Sequence, residues 1–127
     1  PPRSTLFPYT TLFRSLVLLP GERIFRLEGA DTPLRLNDGT AGKSGRRKIA
    51  VVDFDGDGRR DLLLNGQNAS FYKNVGNKKG ITLFKDMGLV DERKLAGHTT
   101  SPTMIKFSKE SAPVLLIGAE DGYFYYK

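Results

Sequence analysis

The chain has 127 residues, about one domain's worth, a formal net charge of +6 and no cysteine. The missing cysteine excludes a disulfide framework, a thiolate metal site and a thiol nucleophile. The basic residues fall in scattered groups, Lys43 with Arg46-Arg47-Lys48, Lys78-Lys79 and Arg93-Lys94. No RNA- or DNA-binding motif accompanies them, so they read as solvated loops and no nucleic-acid partner is expected.

Residues 1–15, Pro1-Pro2-Arg3-Ser4-Thr5-Leu6-Phe7-Pro8-Tyr9-Thr10-Thr11-Leu12-Phe13-Arg14-Ser15, resemble a translated sequencing-library adapter over their whole length. Such a segment is not native and is set aside from fold reasoning. Without Arg3 and Arg14 the formal charge of +6 falls by two. Leu16 then reads as the point where a longer gene is cut. Leu16-Val17-Leu18-Leu19 is too short for a signal core or a membrane span, and no membrane insertion is expected.

The apolar run Ile49-Ala50-Val51-Val52 predicts a strand near 48–53, and Leu62-Leu63-Leu64 a buried strand near 61–65. Between them lies Asp53-Phe54-Asp55-Gly56-Asp57-Gly58-Arg59-Arg60-Asp61. Four aspartates stand at positions 1, 3, 5 and 9 of nine residues, with two glycines that let the backbone turn sharply. A hard cation such as Ca²⁺ takes about 6–8 oxygen ligands at about 2.3–2.6 Å in a flexible cage. Asp53, Asp55, Asp57 and Asp61 are its expected ligands, with a main-chain carbonyl near Arg59 at the seventh position. Without a cation, such close carboxylates repel one another. One Asp-Gly pair is ordinary turn chemistry; four acids in register are not.

An EF-hand needs a bidentate Glu at position 12 and flanking helices, whereas position 12 here is Leu64 and the flanks are strands. Val51-Val52-Asp53-Phe54-Asp55-Gly56-Asp57-Gly58, then Asp61-Leu62-Leu63, resembles the FG-GAP/VCBS repeat of calcium-binding β-propellers, the type also seen in integrin α-subunits. The resemblance covers roughly residues 16–127 and is strongest over 48–74. It implies Ca²⁺ held in the loop between the first two strands of a blade.

Further strands are expected near 69–73 and 81–84. Gly66-Gln67-Asn68 forms one turn, Asn74-Val75-Gly76-Asn77-Lys78-Lys79-Gly80 the next, and 85–102 a long connection. A helical turn is allowed only around Asp91–Leu95. Sliding the chain by 53 residues sets Val51–Asn74 on Met104–Lys127 without a gap, keeping Phe54 on Phe107, Leu62-Leu63 on Leu115-Leu116 and Phe71-Tyr72 on Phe124-Tyr125. A weaker match at 46 residues sets Leu16-Val17-Leu18 under Leu62-Leu63-Leu64. Units of this length with several short strands are typical of propeller blades. The expected architecture is therefore all-β, a partial β-propeller built from repeated four-stranded blades. Residues 16–47 end a preceding blade, 48–97 form a complete blade with the calcium loop, and 98–127 a partial following blade.

In that last unit Lys106, Ser108, Glu110 and Val114 replace the four aspartates, so its loop is not expected to bind Ca²⁺. The metal thus reads as a staple for one loop and not as a catalytic ion. No catalytic residues are assigned: His98 lies beside Thr99, Thr100 and Ser101, and neighbours in sequence seldom form a Ser–His pair. Acids outside the loop show no spacing that marks a carboxylate pair. Tyr123, Phe124, Tyr125 and Tyr126 alternate on a strand, which sends one pair into packing and exposes the other.

By resemblance, the chain is a structural and interaction module of a secreted or cell-surface bacterial protein, taking a polysaccharide or protein ligand and packing against neighbouring blades. The alternative is a piece of a propeller-type polysaccharide lyase whose catalytic residues lie outside this chain. A third, weaker alternative is a dockerin-like calcium module.

Overall fold

The computed structural model describes residues 25–36, 47–97 and 99–127. It is all-β: eight strands in two sheets, with no helix among the described residues. The strands are β1 (Phe25–Leu27), β2 (Ile49–Val52), β3 (Asp61–Asn65), β4 (Ala69–Lys78), β5 (Ile81–Leu89), β6 (Ser101–Ile105), β7 (Val114–Gly118) and β8 (Phe124–Tyr126). The adapter-like segment, Leu16–Leu19 and His98 lie outside the described residues.

The first sheet has the order β1-β5-β4-β3-β2. Strands β2 to β5 form an antiparallel meander, and β1 joins the outer side of β5 in parallel. Asp61-Leu62-Leu63-Leu64-Asn65 is buried at all five positions because β3 is flanked by β2 and β4 and covered on both faces. Side chains alternate, so Leu62 and Leu64 share one face with Val51 and Ile49, while Leu63 lies with Ala50 and Phe71 on the other.

The third turn is tighter than its composition suggests. β4 runs on through Lys78, and Lys78 pairs directly with Ile81 around a two-residue loop. Lys79 (φ 53°) and Gly80 (φ 82°) are both left-handed, as a type I′ hairpin turn requires, and Asn77 Oδ1 accepts the Gly80 N–H at 2.9 Å. β5 likewise extends to Leu89, shortening the expected 85–102 connection to 90–100. Residues 85–89 are all exposed. They carry no burial alternation, and only their ladder to β4 makes them a strand.

The second sheet, β6-β7-β8, has three strands. Its pairs Pro102↔Ile117 and Ile105↔Val114 reproduce Ile49↔Leu64 and Val52↔Asp61 at the 53-residue spacing. The next hairpin does not keep that spacing. Leu63 faces Phe71, but the corresponding Leu116 faces Tyr126 instead of Phe124. The turn over 119–123 is longer than the one over 66–68, so the register slips by two residues. A two-residue slip preserves the pleat and hence the faces.

The two sheets meet through Leu63 and Ala69 against Leu115 and Ile117, with Val52, Phe54, Phe71, Met104 and Tyr125 packed around them. The connection 90–100 is tied to the β3–β4 turn. The Leu95 N–H donates to Gln67 O at 2.8 Å, the Thr100 N–H to Gly66 O at 2.9 Å, and the buried Thr100 hydroxyl to Asn68 O at 2.7 Å. Around Asp91 the chain bends without a helical turn, and Asp91 Oδ1 accepts the Arg93 N–H at 2.8 Å.

Of the C-terminal aromatics, only Tyr125 packs against the core; Tyr123, Phe124 and Tyr126 are 69%, 73% and 79% exposed. The Tyr125 ring also lies 5.6 Å from the Arg93 guanidinium. Its hydroxyl donates to Asp121 Oδ2 at 2.6 Å, and this bond, with the Tyr123 N–H, holds the Asp121 carboxyl below the usual carboxylate range. A depressed folded value stabilises the fold above the unfolded value, about 4, and the contribution is lost as pH falls through the folded value. Tyr125→Phe is expected to raise the Asp121 pKa toward that of a free aspartate, measured by carboxyl-carbon NMR titration.

Candidate metal centre

The aspartate loop connects β2 to β3, and the antiparallel register Val52↔Asp61 brings its two ends together. Gly56 (φ 76°) and Gly58 (φ 85°) take left-handed conformations that side chains rarely adopt, which curls the loop inward. Carboxylate oxygens from Asp53, Asp55 and Asp61 consequently lie within 4.8 Å of one another.

Backbone N–H groups hold these carboxylates in place. Asp53 Oδ2 accepts the Gly58 N–H at 2.9 Å, and Asp55 Oδ1 the Asp57 N–H at 3.2 Å. Asp61 is fully buried and bridges two elements: Oδ2 accepts the Phe54 N–H at 3.0 Å and Oδ1 the Asn74 N–H, on β4, at 2.7 Å. The remaining oxygen of Asp53, Oδ1, is buried and has no hydrogen-bond partner among the described residues. A buried carboxylate oxygen without a donor is costly unless a cation meets it. The donor set is oxygen-only and anionic, which fits a hard divalent cation such as Ca²⁺.

Asp57 and Arg59 stand differently from the other three. Asp57 Oδ1 accepts the Arg59 N–H at 2.9 Å, while its Oδ2 meets Lys73 Nζ at 2.9 Å. The Arg59 guanidinium reaches Asn74 O at 3.5 Å. Lys73 also pairs with Asp55, so its ammonium bridges two loop carboxylates. These bonds, to Asp55 first and then Asp57, raise the Lys73 pKa, and the Lys73 bond leads the lowering of Asp57.

Lys73 and Asn74 are the site residues that spacing alone missed. Their signal was in the hairpin: continuing the Leu62↔Tyr72 register by one step sets Lys73 opposite Asp61. In the corresponding loop between β6 and β7, two serines bond across the turn. The N–H groups of Ser108 and Ser111 each donate to the other's hydroxyl at 3.1 Å.

Comparison with protein-family models, curated proteins and solved structures gives no match to this chain.

Proposed function

We propose that the chain is a calcium-binding module of the FG-GAP/VCBS type, in which Ca²⁺ ties the β2–β3 loop and the blade faces present a binding surface. The observation that carries this reading is the convergence of Asp53, Asp55 and Asp61, together with the buried Asp53 Oδ1 that finds no donor among the described residues. The cation supplies positive charge to a cluster in which only Asp55 meets the Lys73 ammonium, and its role is architectural. The blade reading is supported by the four-stranded meander β2–β5, by the double-sided burial of β3, and by the β2–β3 pairing that recurs in β6–β7. Ile49 and Val51 stay largely exposed on the face away from the second sheet, where a neighbouring blade would pack. A polysaccharide or protein ligand and a secreted or cell-surface location follow from the family resemblance.

Thermal unfolding with Ca²⁺ titrated in tests the reading. A ligand at about 100 times its Kd adds about 2.7 kcal/mol of stability, a readily measured rise in melting temperature. The rise is expected in the natural sequence and is lost in Asp53→Asn and Asp55→Ala. A cooperative melt that Ca²⁺ leaves unchanged refutes the proposal.

A further inference from the structure

We propose that Lys73 is a built-in competitor for the cation, and that its ammonium sets the calcium affinity of the 53–61 loop. The inference rests on the calcium reading above and concerns how that site is tuned. Lys73 follows Phe71 by two residues on β4, on the face that carries Asp61 and Leu63. From there its ammonium pairs with Asp55 and Asp57 at once, with all three side chains only 28–29% exposed.

Asp55 is therefore claimed twice, by the ammonium and by the three-carboxylate cluster. An entering divalent cation must take Asp55 from Lys73, and only then is Asp57 free to turn inward as a fourth carboxylate. The retreat of Lys73 is opposed, because its cross-strand neighbour is Lys85 and like charges directly opposite repel. An ammonium is a compact point charge that neutralises carboxylates without coordinating them as a divalent ion does. Lys73 thus stabilises the cation-free loop and weakens binding, since calcium affinity follows ligand charge and site rigidity.

The test is calcium titration calorimetry on the full chain, comparing the natural sequence with Lys73→Met, Lys73→Arg and Asp53→Asn, alongside melting in chelator and in Ca²⁺. Lys73→Met is expected to bind Ca²⁺ about tenfold more tightly or better, within the range over which ligand charge tunes such sites. It should also melt lower in chelator and gain more on adding Ca²⁺. Lys73→Arg, which keeps the charge, should stay near the natural affinity. A purely structural lysine would lower melting in both conditions without tightening binding. Equal or weaker affinity in Lys73→Met, while the natural sequence binds and Asp53→Asn does not, overturns the competitor role alone. Absence of binding in every protein up to roughly 10 mM Ca²⁺, beyond the weakest extracellular calcium modules, overturns the calcium reading and this inference with it.

Discussion

Replacing Asp61 with Ala is expected to lower stability by about 2–4 kcal/mol in denaturant unfolding, even with no metal present. Asp61 is fully buried, and each carboxylate oxygen accepts a different backbone N–H, one from Phe54 in the loop and one from Asn74 on β4. The substitution removes both acceptors and leaves two donors enclosed, so the desolvation cost falls on the backbone. Asp61→Asn is expected to cost less, because its amide oxygen still accepts one N–H while the amide nitrogen meets the other donor unfavourably. A loss in Asp61→Ala no larger than in Asp55→Ala would mean that the bridge between loop and β4 contributes little.

Leu63→Ala is expected to destabilise by about 2–5 kcal/mol, a large part of the stability of a typical small domain. Leu63 has no exposure and packs between the two sheets, with Ala69, Leu115 and Ile117 as its buried neighbours. Strands fixed by ladders on both sides collapse poorly into a cavity, which places the cost toward the upper end. The exposed Val51 offers the contrast, and Val51→Ala should cost under about 1 kcal/mol. Equilibrium unfolding of the two variants measures the difference. Similar losses at both positions would show that the Leu63 contact between the sheets does not hold the fold together.

Much of the fold was legible in local residue order. The strands at 49–52 and 61–65 announce themselves as short apolar runs; β3 is covered on both faces and so needs apolar residues at its centre without interruption, whereas β2 is equally apolar although Ile49 and Val51 stay exposed. The loop between them was legible as a carboxylate cluster because alternate acids interrupted by glycine allow little else. The 53-residue spacing likewise located β6 and β7, since pairing within a hairpin depends on its own two strands and their turn.

Other features depended on what lay across the sheet. The outer half of β5 has no burial pattern, and only backbone bonding to β4 draws it into the ladder. The β7–β8 register depended on the length of its turn, to which the apolar period of two is blind. In the aspartate loop, the sequence by itself determined which side chains carry negative charge and that they crowd one short turn. Tertiary structure alone decided how they divide. Asp53, Asp55 and Asp61 converge, while Asp57 stays outside the cluster and shares with Asp55 a lysine brought in by β4. The physical reason is that charge belongs to the residue type, whereas the counter-charge it meets is set by the strand laid beside it.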